Sequence, residues 1–131
     1  TYNKYPIISC IDYDETLKYF DNYTQISLGQ ILSKKLLKYK KEIRSEMVFH
    51  ELNKIISNNE SKNILVSEID ILFNPLYDIS ILRFFINANR NKNIVVIWNG
   101  KFNNNKLIYS ESKYKDYQKF DVKKFDILCL K

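Results

Sequence analysis

The sequence is poor in glycine, with two residues among 131, Gly29 and Gly100. Nucleotide-binding α/β proteins cradle phosphates with a glycine-rich loop between the first strand and the first helix, because the backbone must approach the phosphates closely. Here neither glycine begins a G-x-x-x-x-G-K-[ST] motif, and that loop reads DYDET, from Asp12 to Thr16. Its acidic side chains suit a helix N-terminus but would repel a triphosphate. A phosphate loop is therefore excluded at this position.

Cysteine and histidine are also scarce. Cys10 and Cys129 lie in separate apolar runs, which gives neither a zinc-ligand spacing nor a disulfide framework. We expect both to be buried, reduced thiols. His50, the single histidine, stands among helical residues without a serine or cysteine arranged for nucleophilic catalysis, so we expect a structural role.

Long apolar runs are absent too. No run approaches the roughly 18 to 20 residues of a membrane helix, and the N-terminus lacks the order of a signal peptide. We expect a soluble, cytoplasmic protein with no membrane partner.

Hydrophobic residues make up 45% of the chain, enough for one core, and the length predicts a single domain over residues 1–131. The net charge of +6 suits an anionic partner. However, lysine, asparagine, isoleucine and tyrosine are used heavily throughout, so only local clusters of charge carry weight.

Five short runs have the composition of buried strands: 6–11, 24–28, 63–67, 93–98 and 125–130. Most are continuously apolar, as in a parallel sheet covered on both faces. Helical patterns separate them: a short one after the first strand, a long one over 29–57, and one after Asp78, a candidate N-cap. The asparagines at 103–105 predict a hairpin. The fold class is therefore α/β: three layers, a mostly parallel five-stranded sheet with helices on both faces, and a small β-hairpin.

The first loop matches D-x-D-x-T-L and resembles the first motif of the haloacid dehalogenase superfamily of magnesium phosphotransferases. That resemblance would make Asp12 the nucleophile and Asp14 the general acid and base. Ser67 could supply the later hydroxyl, and Lys92 or Lys101 the lysine. The family's acidic pair is missing, because the fourth strand ends in WNG. The alternative is structural, with Asp14 as a helix cap and Asp12 as a strand-end carboxylate.

A second resemblance covers roughly residues 24–124. The segment NILVSEIDILFNPLYDISILRFFINANRNKNIVVIWNG (63–100), LSKKLL at 32–37 and LIYSESKYKDYQKF (107–120) are similar to BrxF, the small P-loop protein of type 3 BREX phage-defence systems. The resemblance implies a P-loop NTPase-like topology, which we expect to place the first and last strands side by side at the sheet centre. Cys10 and Cys129 would then lie on neighbouring strands.

The chain departs from that family where the nucleotide would bind. The phosphate loop is replaced by the acidic turn, and the resemblance puts Ser67 where a magnesium-holding aspartate would stand, followed closely by Glu68 and Asp70. Asn99 occupies the place of a sensor for the γ-phosphate, although Asn-Gly also marks turns. We interpret Ser67, Glu68, Asp70 and Asn99 as vestigial nucleotide-site positions. Without the loop and the aspartate, phosphoryl transfer loses positioning and charge neutralisation together.

The resemblance therefore favours a non-catalytic subunit of a bacterial anti-phage complex, without a cofactor. It would bind a protein partner, associate with DNA, or form homo-oligomers. The haloacid dehalogenase-like phosphatase remains the enzymatic alternative.

A nucleic-acid-binding module is the third hypothesis. Basic side chains repeat at helical spacing on the long predicted helix, as contacts to phosphates would require; they are Lys34, Lys35, Lys38, Lys41 and Arg44. Segment 113–120 interleaves bases with aromatics, as single-strand binders do. Both patterns are also compatible with an ordinary solvated helix face and with a packed surface segment.

Overall fold

The apolar runs form one parallel sheet in the computed structural model, which describes residues 4–131. Its strands are β1 (Ile7–Ser9), β2 (Thr24–Ser27), β3 (Asn63–Ser67), β4 (Asn93–Ile97) and β8 (Leu128–Leu130). They lie in the order β2-β3-β4-β1-β8, and every neighbouring pair is parallel. The predicted α/β class and the five-stranded sheet are confirmed, with strand ends that differ by up to three residues.

Helices cover both faces of this sheet, as predicted. The larger core lies on one face, where Ile8, Val66 and Val96 pack with residues from three helices: α2 (Leu28–Leu36), α3 (Arg44–Ile56) and α4 (Ile81–Ala88). The other face is smaller. There Leu65, Val95 and Ile97 pack under a single short helix, α1 (Tyr13–Tyr19).

The first and last strands are adjacent, as the P-loop-like topology predicts. Ile8 of β1 is in register with Cys129 of β8, and the amide of Cys10 donates to the Leu130 carbonyl at 2.7 Å. The predicted location at the sheet centre is wrong, because β8 is an edge strand and β4 is the central one. All five residues of β4 are buried, and four of them, 94–97, are apolar, as expected of a central strand covered on both faces.

The prediction of one long helix over 29–57 is wrong. The chain forms α2, a turn with a short 3₁₀ segment (Lys41–Ile43), and then α3, which packs back against α2. A continuous helix of that length would extend about 40 Å, far beyond strands of five residues or fewer. Reversal instead buries Leu36 of α2 and Leu52 of α3 in one core. Among residues 4–131, no helix combines the length and apolar character needed to cross a membrane.

The predicted N-cap of the α4 region is also wrong. Ser80 occupies the cap position, whereas Asp78 has a left-handed backbone with φ of 49°, which an N-cap residue does not adopt. The helix itself forms as predicted, with Leu82 and Phe85 buried.

The predicted hairpin is part of a larger unit. Strands β5 (Lys101–Asn103) and β6 (Lys106–Tyr109) enclose Asn104 and Asn105, whose φ angles of 51° and 60° suit a type I′ turn. A third strand, β7 (Gln118–Asp121), pairs antiparallel with β6. This strand begins within the segment 113–120 that alternates bases with aromatics, and its Phe120 packs against the core.

Candidate functional site at the carboxyl edge of the sheet

The connection from β1 to α1 contains only residues 10–12 and is built around a helix cap. The Asp12 carboxylate accepts from the Asp14 amide at 3.1 Å, so Asp12 is the N-cap of α1. The structural interpretation had given that role to Asp14, which instead lies in the first helical turn. Both carboxylates are exposed, and a carboxylate here favours the positive end of the helix.

Thr16 completes this cap from inside the protein. Its buried hydroxyl lies 2.7 Å from the Ser9 hydroxyl and donates to the Asp12 carbonyl at 2.9 Å. The residues of the D-x-D-x-T pattern are thus used to join strand to helix, and the local geometry accounts for the motif without a reaction.

The end of β3 is fastened to neighbouring elements. Glu68 has a left-handed backbone (φ 57°), and its carboxylate accepts from the Gln30 amide at the start of α2 at 3.1 Å. The Ser67 hydroxyl reaches the Ile26 carbonyl of β2 at 3.4 Å. These contacts direct the two side chains toward α2 and β2, and not toward the ends of β4 and β1.

Asp70 and Asn99 are brought together, and a residue that the sequence did not point to joins them. The Asn99 amide donates to one Asp70 oxygen, and the Tyr109 hydroxyl donates to the other at 3.3 Å. Tyr109 is stacked on Phe73 with ring centroids 3.7 Å apart. Burial, and then the Asp70 carboxylate, raise the pKa of Tyr109 to about 12, so the hydroxyl stays protonated and continues to donate.

Tyr109 was missed because it comes from the end of β6, in the antiparallel sheet. No sequence pattern connects that strand to the end of β3. The only available signal was its position in an alternating strand, where Leu107 and Tyr109 share a face.

The edge therefore carries acidic side chains that are already engaged by the chain itself. Asp12 caps α1, Glu68 caps α2 and Asp70 holds Asn99 and Tyr109. In the part of the chain that the structure describes, no three His, Cys, Asp or Glu residues are grouped so as to hold a metal ion. This arrangement fixes loops and helix ends.

Of the two lysines considered for a phosphatase, Lys92 is far from Asp12. It immediately precedes β4, whereas Asp12 follows β1, so in a parallel sheet they lie at opposite edges. The Lys92 ammonium donates to the carbonyls of Asn59 and Ser61, and burial lowers its pKa. Lys101 is exposed on β5, just beyond the end of β4.

The basic stripe predicted on one helix is divided. Lys34 and Lys35 lie in the last turn of α2, Lys38 in the following turn, Lys41 in the 3₁₀ segment and Arg44 at the start of α3. The Arg44 guanidinium is tied to the Tyr39 carbonyl at 3.1 Å. These side chains do not form a single helical face, because the helix on which the spacing was counted does not exist.

The remaining candidates have ordinary surroundings. His50 is exposed on α3. Lys113 pairs with Glu111 at 3.4 Å, and Phe120 is used in packing against Trp98. Cys10 and Cys129 are partly buried, not buried as expected. Burial, and then the neighbouring Cys129, raise the pKa of Cys10 to about 12.

Comparison with known proteins gives no match: no family model, no curated protein and no solved structure is similar to this chain. The likeness to BrxF and to P-loop proteins accordingly stays a prediction, and the function has to be argued from the geometry.

Proposed function

We propose that this protein is a non-catalytic interaction subunit with a P-loop-like fold, belonging to a DNA-associated anti-phage complex of the kind that the BrxF resemblance implies. One observation carries the non-catalytic part. At the carboxyl edge of the sheet, where open α/β folds bind ligands, the Asp70 carboxylate is occupied by Asn99 and Tyr109.

The first helix supports the same conclusion. A phosphate site at a helix N-terminus needs free amides and no competing anion. In this protein Asp12 occupies the amide of Asp14, and Asp14 and Glu15 add negative charge in the first turn. A triphosphate placed there would face three carboxylates instead of a lysine.

The strand order supports the P-loop-like part of the proposal. The adjacency of β1 and β8 is the feature that this topology requires. With the acidic groups at its strand ends engaged, the α/β scaffold offers a partner its outer surfaces.

Binding of ATP provides the first test. Addition of about 5 mM ATP with Mg²⁺ should leave the thermal midpoint unchanged, because a ligand stabilises only the state that binds it. Asp12→Asn should behave in the same way, since removing one charge does not create a loop of free amides. A midpoint raised by ATP, or phosphate release lost in Asp70→Asn, would contradict the proposal.

Wild type and its variants also distinguish the proposed function from the phosphatase alternative. Magnesium-dependent hydrolysis of a simple phosphomonoester, abolished in Asp12→Asn and retained in Glu15→Gln, would establish an enzyme. We expect no hydrolysis in any of them.

The proposed setting is tested through the neighbouring genes. Methyltransferase and helicase genes beside this one would support a defence subunit. Co-purification of one of their products with wild type and with Asp70→Asn alike would support a non-catalytic role. An isolated metabolic neighbourhood would count against it.

A further inference from the structure

The exposed side of α4 and of the turn after it is basic, and cavities lie on both sides of it. Arg83 and Asn87 of α4, and Arg90 in the turn directly after it, are spaced at four and three residues and are all exposed; together they are called here the arginine face of α4. On the opposite side of the helix Leu82 and Phe85 are buried. The helix itself contains no acidic residue. Within residues 4–131, neither arginine has a carboxylate at ion-pair distance.

Three cavities border this face, beside a fourth of about 320 Å³ that touches it through Arg83 and has Asp78 in its wall. Two of about 360 and 370 Å³ lie on the side of α3 and share Phe49, Phe84 and Asn87 in their walls. A third, of about 230 Å³, lies on the other side between Arg83, Arg90 and Phe125. The three cavities differ in the charged residues that line them. Asp78 borders the 370 Å³ cavity and Asp126 the 230 Å³ cavity, but the 360 Å³ cavity has no carboxylate in its wall.

That cavity, called here the Phe49 cavity, combines three kinds of group. Arg90 and Lys92 supply positive charge, although the Lys92 ammonium is already bonded to two carbonyls. Its wall also carries amide and hydroxyl groups, from Asn53, Ser57, Asn87 and Asn91. The apolar part consists of the rings of Phe49 and Phe84 together with Ala88.

Phe49 is placed to act as a platform. Its side chain is 57% exposed although it is one of the most apolar residue types. The ring is held edge-on against Phe84, with centroids 6.0 Å apart and planes at 88°. A ring held against a neighbour in this way loses little side-chain entropy when a flat ligand covers its exposed part.

We propose that the Phe49 cavity and the arginine face of α4 bind single-stranded nucleic acid. A base would stack on Phe49, the amides would hydrogen-bond base edges, and Arg90 and Arg83 would contact phosphates. Arg83 lies on α4 and Arg90 in the turn directly after it, seven positions further along the chain, so that the two guanidiniums can contact different phosphates of one strand. An acidic peptide would use the guanidiniums but leave the ring and the cluster of amides without a role.

This surface is separate from the carboxyl edge, because Arg90 and Lys92 precede β4 and lie at the opposite edge of the sheet. The inference therefore does not depend on the absence of ATP binding. ATP binding would defeat the proposed function and leave this inference standing.

Fluorescence anisotropy with a 5′-labelled single-stranded thymidine oligonucleotide of about 20 nucleotides tests it. At low salt we expect binding that weakens steeply as salt is added. Phe49→Leu, which keeps an apolar contact with Phe84 but removes the stacking ring, should weaken binding roughly 5- to 100-fold. Arg90→Ala should weaken it as well and reduce the slope of log affinity against log salt by about 1.

Matched controls are available on other surfaces. Tyr19→Leu removes an aromatic ring that is 70% exposed on α1, and Lys34→Ala removes an exposed charge of α2. Both should leave the affinity within about twofold, since surface changes away from a site are near neutral. Circular dichroism and thermal midpoints of all variants confirm that each is folded.

Several outcomes would overturn the proposal. They are no binding at low salt, a loss in Lys34→Ala as large as in Arg90→Ala, and an affinity unaffected by Phe49→Leu. Tighter binding of a labelled poly-glutamate peptide would assign the face to an acidic protein instead, and equal binding of a thymidine mononucleotide would assign a small-molecule site.

Discussion

Glu51 illustrates at the scale of one residue how a charge is kept inside this protein. It is 3% exposed on α3, and the Tyr39 hydroxyl donates to its carboxylate at 2.7 Å. That hydrogen bond, together with the positive charges of Lys54, His50 and Lys35, lowers the pKa of Glu51. The same bond raises the pKa of Tyr39. The pair links the turn after α2 to the middle of α3, so it also fixes the reversal of the chain.

Tyr39→Phe should lower the thermal midpoint at pH 7 by roughly 3 to 8 °C, because a buried carboxylate loses its donor. The contribution of Glu51 is fully present above its ordinary pKa of 4.5 and is lost as the pH falls through the lower folded-state value. The difference between variant and wild type should therefore narrow below pH 4.5. Thermal melts from pH 7 to pH 3 measure this, with Tyr19→Phe on the exposed face of α1 as the control. A difference that widened in acid would contradict the assignment.

Gly100 connects the central strand of the parallel sheet to the antiparallel sheet, and the requirement for glycine arises from the neighbouring element. Its backbone has no positive φ, so the Asn-Gly pair is not used for turn conformation. A Cβ at this position would lie 1.9 Å from the Ile108 carbonyl oxygen of β6 and 2.8 Å from the Trp98 indole nitrogen. That nitrogen donates to the same carbonyl at 3.2 Å. This close approach of Gly100 to the Ile108 carbonyl holds the end of the parallel sheet's central strand against β6 of the antiparallel sheet.

Gly100→Ala should destabilise the fold by about 1 to 3 kcal/mol, because β6 must move away from β4. Gly29→Ala is the matched control, since there the nearest atom, the Glu68 carboxylate oxygen, is 3.0 Å away and not 1.9 Å. Its effect should be smaller, as alanine also favours the helix. Urea titrations measure both. Equal losses in the two variants would show that the carbonyl of Ile108 is not the obstacle.

Elements were predictable where one local signal decided them. The runs at 63–67 and 93–98 have continuously apolar centres, at 64–66 and 94–98, and became β3 and β4. The break between α2 and α3 carries no glycine or proline, and its cause is the size of the sheet beneath it. β7 was missed because most of its residues are polar, and its formation depends on Phe120 reaching the distant Trp98 and Phe125.

At the scale of the whole molecule, the two sheets share one core. Leu107 of β6 is completely buried and belongs to the same cluster as Ile8 and Val96 of the parallel sheet. Trp98, the single tryptophan, lies between them, 5.5 Å from Phe73 and 6.0 Å from Phe120. The parallel and antiparallel sheets therefore pack around the same apolar side chains.

Leu107→Ala should cost about 2 to 5 kcal/mol and lower a single unfolding transition. Trp98 fluorescence and far-ultraviolet circular dichroism should give the same midpoint, because the antiparallel sheet cannot unfold without opening the core around Trp98. Ile108→Ala, on the partly exposed side of the same strand, should cost less. Separate midpoints for the two signals would show that the antiparallel sheet unfolds independently.

The candidate site was predictable only in part, for reasons that apply to the whole molecule. Asp70 and Asn99 follow neighbouring parallel strands, and their meeting follows from that topology. Tyr109 arrives from another sheet. The arginine face of α4 was overlooked because its cavities are formed by pieces of chain that are distant in sequence, such as Phe49 and Phe125.

The brevity of the chain between β1 and α1 limits what redesign could achieve there. Ser9 and Thr16 are joined by their hydroxyls beneath the surface, and residues 10–12 only just bridge the strand to the helix. Exchanging side chains, even all three acids, would leave too little backbone to encircle an anion. A variant designed to bind a nucleotide here would need a longer connection between β1 and α1. It would also have to lose the contact between the Ser9 and Thr16 hydroxyls.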